Sequence, residues 1–152
     1  MNKHKRIFIV GHPGAGKGLV AKLLAEKLGW QFINSDLGLE SCIGRTLAEI
    51  VGKQGEEAFH HCESEILSYQ LTKDNIVVAT DASIVSSEKN RQLLSSEFVV
   101  YLKVSTSVQL ERALSYPAPA PLLPMTDHKA FLDKLHQERD ALYDQAQFLD
   151  QY

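Results

Sequence analysis

The chain has 152 residues, 44% of them hydrophobic and 23% charged, with a formal net charge of −3. That length fits a single compact domain with a self-sufficient core, and the balance excludes a disordered or fibrous chain. Mild acidity argues against a general nucleic-acid binder. Two cysteines outside any C-x-x-C spacing, Cys42 and Cys62, argue against a disulfide framework or a zinc site. No apolar run approaches a membrane span. A reduced, cytoplasmic, monomeric protein with no membrane or nucleic-acid partner is expected, and the short basic run at residues 3–6 reads as a solvated end.

Residues 6–10, Arg-Ile-Phe-Ile-Val, run straight into glycine and read as a buried strand. From Gly16 a helix pattern begins, with Val20, Leu23, Leu24 and Leu28 on the expected core face and Lys22, Glu26 and Lys27 on the wet face. Residues 31–34 are a short second strand. Residues 41–51 and 56–71 read as two helices, the second with Phe59, Cys62, Ile66 and Tyr69 or Gln70 near helical spacing. Residues 75–80 make a third strand, 88–95 a short helix, 97–104 a fourth strand and 107–114 another helix. Residues 116–124 hold four of the five prolines and can be neither helix nor central strand. A long helix over residues 126–146 follows, with Phe131, Leu132, Leu135, Leu142 and Tyr143 on its apolar side. Strands that alternate with helices predict a three-layer α/β domain with a parallel sheet and helices on both faces.

Gly11-His12-Pro13-Gly14-Ala15-Gly16-Lys17 fits G-x-x-x-x-G-K between a strand and a helix, the context this phosphate-binding loop requires. Its glycines let successive amide N–H groups turn inward, and the helix start adds positive potential. Lys17 reaches the outer phosphates as a point charge. The expected nucleotide contacts are Gly11, His12, Pro13, Gly14, Ala15, Gly16, Lys17, Gly18 and Leu19; a glycine-rich turn without a ligand is the competing reading. Gly18 stands where a Mg²⁺-ligating hydroxyl usually follows the lysine. Pro-Gly-Ala-Gly-Lys-Gly is similar to the loop of adenylate kinases, in which a threonine normally comes next; here it is Leu19.

Beyond the loop, the chain resembles the shikimate kinase family over nearly its whole length. The segments that carry the resemblance are Phe32-Ile33-Asn34-Ser35-Asp36 with Glu40 following, Gly44-Arg45-Thr46-Leu47-Ala48-Glu49-Ile50, Gly55-Glu56-Glu57-Ala58-Phe59-His60 with Glu63 in register, Val99-Val100-Tyr101-Leu102, Pro121-Leu122-Leu123, and Arg139-Asp140-Ala141-Leu142-Tyr143. Each alone is weak; the ordered set is specific. The resemblance implies a five-stranded parallel sheet of order 2-3-1-4-5 and a proline-rich lid at about 115–125. It also implies transfer of the ATP γ-phosphate to a hydroxyl of a small, carboxylate-bearing acceptor. In that reading Asp36 holds the acceptor hydroxyl, Arg139 its carboxylate, and Arg112 lies beside the adenine. A cap or turn aspartate and a solvated arginine are the plainer alternatives for Asp36 and Arg139.

The departures from the family pattern cluster at the chemistry. Asn34 replaces the first aspartate of the Asp-x-Asp pair, and His60 replaces a second acceptor-binding arginine. Thr80-Asp81-Ala82 replaces a three-glycine turn, and Ala120 replaces the lid arginine. The sequence ends at Tyr152, so the fifth strand near residues 147–150 is expected to be short and the usual closing helix absent. Phosphoryl transfer depends on positioned charge, so ground-state binding of ATP should outlast catalysis. Shikimate is therefore expected to be a poor substrate, and a nucleotide-binding pseudoenzyme is the rival to an ATP-dependent kinase. Asp81 is the one gain: it follows a strand beside the loop strand, where it either holds Mg²⁺ through water, taking a catalytic role with Lys17 and Asp36, or caps the turn at Ser83. Mg²⁺ is expected to be weakly held or absent. His60-His61-Cys62 does not read as a metal site, because adjacent helical residues diverge by about 100°.

Overall fold

In β1 (Arg6–Val10), alternate side chains enter opposite layers, as a doubly covered strand requires. A computed structural model describes residues 5–13, 15–40, 45–104 and 128–146. After β1 come α1 (Lys17–Leu28), β2 (Gln31–Asn34), α2 (Leu47–Gln70), β3 (Ile76–Ala79), a 3-10 turn (Ala82–Ser86), α3 (Glu88–Leu94), β4 (Phe98–Tyr101) and α4 (His128–Ala146). All strand pairs are parallel, in the order β2-β3-β1-β4. The described residues thus form four strands in the expected order. The fifth strand, the helix at 107–114 and the proline segment lie outside the described residues. None of the described helices is long and apolar enough to cross a membrane.

Phe8 and Val10 join Val78, Val99 and Tyr101 on one face of the sheet, under Leu67, Ile84, Val85, Leu94 and Tyr143. Ile9, Val77 and Ala79 face the other way, against Ala21 and Ala25 of α1. This corrects the expected face of α1. Its buried positions are Lys17, Ala21 and Ala25, while Leu23 is 56% exposed and Val20 and Leu28 are also largely outside. The small alanines let the helix axis lie close to the sheet, and Leu24 reaches the core only from its edge. Two helices, as expected at 41–51 and 56–71, make up α2 within the described residues and meet at Gly52, whose φ of 75° and ψ of 169° are not helical. The Thr46 hydroxyl caps its start by accepting from the Glu49 N–H at 3.3 Å. Its buried stripe is Leu47, Ser64, Leu67 and Gln70, whereas Cys62, Ile66 and Tyr69 are exposed.

Parallel strands bring Val10, Asn34, Ala79 and Tyr101 to the same edge of the sheet, where ligands of such folds bind. Leu67 ties α2 to that sheet and is 1% exposed. Leu67→Ala should lower unfolding free energy by about 2–5 kcal/mol, read as a lower midpoint with unchanged slope in urea denaturation.

Candidate active site

The turn after β1 leaves little space. A Cβ on Gly11 would stand 2.9 Å from the Leu102 carbonyl oxygen, a backbone atom that cannot step aside. The Ala15 N–H returns to the His12 carbonyl at 3.1 Å, and Gly16, with φ 92°, starts α1 from the left-handed region that glycine tolerates. No acidic side chain occupies the first turn of α1, so its positive end stays available to an anion. Lys17 is 2% exposed. Its Nζ donates to the Gly11 and His12 carbonyls at 2.9 and 3.0 Å and lies 3.5 Å from Asp36 Oδ2. Burial lowers the pKa of this ammonium, while Asp36 and Asp81 act to keep it charged. A curled backbone around a cation that already seeks oxygen partners fits the phosphates of a nucleotide. The loop residues read from the sequence stand together here, except Gly14, which with Arg112 lies outside the described residues.

On the far side of Lys17, two short turns aim Asp36. Its N–H donates to Asn34 Oδ1 at 3.0 Å, and its own Oδ1 accepts from the Gly38 N–H at 3.0 Å. Asn34 thus holds the turn, and Asp36 is both a turn residue and the partner of Lys17. Asp81 caps the 3-10 turn, its Oδ1 accepting from the Ser83 N–H and hydroxyl at 3.2 and 3.4 Å. Burial raises its pKa, and Asp36 and Glu40 add to the rise.

A cavity of about 270 Å³ opens beside these groups, bordered by Asn34, Phe59, Glu63, Gln70, Thr80 and Asp81 among others. Thr80 and Asp81 line it; the Ala82 carbonyl is instead turned to the Tyr143 hydroxyl at 2.5 Å. Phe59, Cys62 and Ile66, noted in the sequence for their helical spacing, are cavity wall. An apolar stripe on a helix has the same spacing whether it meets a core or a ligand, so the pattern alone does not separate the two.

His60 does not itself border the cavity; it pairs with the bordering Glu63, Nδ1 lying 3.1 Å from Glu63 Oε1, and its buried Nε2 has no hydrogen-bond partner among the described residues. Glu63 Oε1 also accepts from Asn90 Nδ2 at 2.9 Å, and Asn90 Oδ1 accepts from the Ser64 hydroxyl. Burial raises the pKa of Glu63, partly offset by His60. Arg139 is buried and bidentate on Glu40 at 2.5 and 2.6 Å, and Glu40 also accepts from the Leu47 N–H at 2.9 Å. Burial opposes the guanidinium charge, yet the Glu40 hydrogen bonds and charge outweigh it and hold the pKa above its ordinary value. The solvated-arginine alternative is thereby removed.

The network missed by sequence reasoning surrounds His12, which is 0% exposed. Its Nε2 lies 2.6 Å from Asp140 Oδ1, its ring stacks on His136 at 3.8 Å, and Tyr143 meets it edge-on at 4.8 Å. His12, His136 and Asp140 are the described grouping within metal-ligand reach. The two rings are tilted by only 22°. Ring lone pairs lie in the ring planes, so nearly parallel rings do not converge on one ion, and the group is a hydrogen-bonded knot. Its sequence signal was a histidine inside a loop otherwise built of small residues.

A phosphate loop at the edge of a parallel sheet, with a buried lysine facing a carboxylate beside a cavity, defines a P-loop nucleotide-binding domain of the kinase class. The family model for shikimate kinase matches residues 13–150. Shikimate kinase of Halorhodospira halophila is 40% identical over 139 residues, covering 91% of this chain and 78% of that protein. That of Francisella tularensis subsp. holarctica is 40% identical over 145 residues, covering 94% and 82%. Among solved structures, shikimate kinase from Acinetobacter baumannii in complex with shikimate superposes with a TM-score of 0.75 at 32% identity, over 99% of this chain and 86% of that one. The chain belongs to the shikimate kinase family. A deoxyadenosine kinase from M. mycoides, TM-score 0.62 at 20% identity over 97% of this chain and 91% of that one, shares the fold. These relatives lend no support to the pseudoenzyme reading or to the case against shikimate.

Two outcomes follow from this geometry. Lys17→Ala should weaken ATP binding at least about tenfold by calorimetry, since a buried charge-assisted contact to phosphate is lost. Burial lowers the His12 pKa from 6.5 to about 4 despite its bond to Asp140. Between those values the unfolded chain binds more protons than the folded one, so stability falls as pH drops from about 6.5 to about 4. In His12→Leu that part of the acid sensitivity, on the order of 2 kcal/mol, should disappear from denaturation curves taken across this window.

Proposed function

We propose that this protein transfers the γ-phosphate of ATP to a hydroxyl of a small carboxylate-bearing acceptor, with shikimate as that acceptor. The observation that carries the reading is the 3.5 Å approach of Lys17 Nζ to Asp36 Oδ2, whose chain neighbours Ser35 and Leu37 border the cavity. One group suits the transferring phosphate and the other an acceptor hydroxyl, so the two halves of the reaction meet there. The acceptor oxygen attacks the γ-phosphorus, the bond from that phosphorus to the ADP oxygen breaks, and the hydroxyl proton passes to Asp36. Lys17 offsets charge on the moving oxygens. Asp36 and Asp81 are oxygen donors suited to Mg²⁺, with Asp81 acting through water. Mg²⁺, when bound, would neutralise phosphate charge.

On the acceptor side, Glu40 orients the Arg139 guanidinium using two of its five N–H donors. His60 offers the unpartnered Nε2 where the family pattern has a second arginine. A single imidazole nitrogen holds a carboxylate less firmly than a bidentate fork. The weakness should therefore fall on acceptor binding more than on the chemical step. Gly18 has no atom within 4 Å of an added Cβ, so a serine hydroxyl fits there.

A coupled assay of ADP release with ATP, Mg²⁺ and shikimate should show acceptor-dependent turnover. His60→Arg should lower the KM for shikimate about five- to tenfold with little change in kcat. Gly18→Ser should lower the Mg²⁺ concentration needed, and Asp81→Asn should raise it. A folded, ATP-binding protein with no shikimate-dependent ADP release refutes the assignment.

A further inference from the structure

We propose that Asp140 is a positioning residue for the phosphate loop, acting through the His12 ring to fix the carbonyl that holds Lys17. The proposal rests on the nucleotide-binding half of the functional reading and needs no particular acceptor. Asp140 carries a carboxylate that three donors surround: the His12 imidazole at 2.6 Å, the Tyr101 hydroxyl at 2.9 Å and the His136 imidazole at 3.2 Å. Burial alone would raise its pKa, but the bonds from His12 and Tyr101 outweigh burial and hold it below the ordinary value, so the charge persists. The His12 ring is clamped between that carboxylate, His136 stacked on one face and the edge-on Tyr143.

His12 is not a bystander to the loop backbone. Its carbonyl accepts from Lys17 Nζ at 3.0 Å and from the Ala15 N–H at 3.1 Å. A continuous set of contacts therefore runs from α4 through one side chain to the cation. Most residues of such a loop are placed by backbone bonds alone; here one is also held by its side chain against a helix distant in sequence. The same turn of α4 carries Arg139, locked to Glu40. Adjacent residues of one helix thus anchor the phosphate loop and the acceptor-side ion pair. Loss of Asp140 would leave the His12 Nε2 buried without a partner beside an Nδ1 that already has none. The ring would then be free to turn, and its carbonyl with it.

The test is ADP affinity by calorimetry in the absence of any acceptor. Asp140→Ala should weaken ADP binding about tenfold, and Asp140→Asn, which keeps one acceptor oxygen, by less. Asp144→Ala, which removes an exposed partner of Lys103 one turn along α4, should leave affinity unchanged. A merely structural role is separated by a double-mutant cycle. If Asp140 acts through His12, then His12→Leu alone weakens ADP binding, and adding Asp140→Ala weakens it no further, although losses in melting temperature still accumulate. The proposal is overturned if folded Asp140→Ala binds ADP within about twofold of the parent, or if the two losses in affinity add. Should Asp140→Ala not fold, Asp140→Asn decides on the same criterion. A parent that binds no ADP overturns the nucleotide reading itself, and this inference with it.

Discussion

A positive charge kept from water organises this protein. An ammonium moved from water into a protein interior loses several kcal/mol of solvation even after relaxation. Lys17 recovers part of that from two carbonyls of its own loop and from the Asp36 carboxylate. The loop must curl to present those carbonyls, and it can curl only because Gly11 lets the chain pass against the Leu102 carbonyl. It must start a helix at once, because α1 seats Lys17 at its first position. The strand before it must be buried on both faces, which is why Phe8, Ile9 and Val10 are all without exposure.

The carboxylates around Lys17 carry the complementary strain. Asp81 is pushed toward its neutral form by burial and by the nearby charges of Asp36 and Glu40, with only Lys17 and the Ser83 bond working the other way. Both oxygens of Glu40 accept from the Arg139 guanidinium. The acceptor side proposed above therefore consists of one neutralised pair and one imidazole rather than two free guanidinium forks.

The long helix α4 connects these two halves. It packs against the 3-10 turn through the Tyr143 hydroxyl on the Ala82 carbonyl, against the loop through Asp140, and against the segment after β2 through Arg139. Three contacts within five residues, numbers 139 to 143, reach partners 61 to 128 positions earlier in the chain. Non-local bonds of this kind are what convert a sheet with helices into a single site.

Much of this was legible in the amino-acid sequence. Strand and helix alternation and the loop with its lysine need only local chemistry: β-branched runs, glycine punctuation and a helix start that must follow the loop directly; the order of the first four strands came instead from the resemblance to the family. Asp36 and Arg139 were singled out there through the resemblance, and in the structure one faces Lys17 and the other is locked to Glu40. What local chemistry could not decide was which neighbour each side chain meets. The leucines of α1 turned outward because the sheet demands small residues at close approach. Phe59, Cys62 and Ile66 became cavity wall because a helix face does not announce whether core or ligand will cover it. Asp140 and His12, 128 positions apart, became partners only when α4 closed over the loop. The burial that makes their contact consequential exists only in the folded chain, because it is other segments that remove the water.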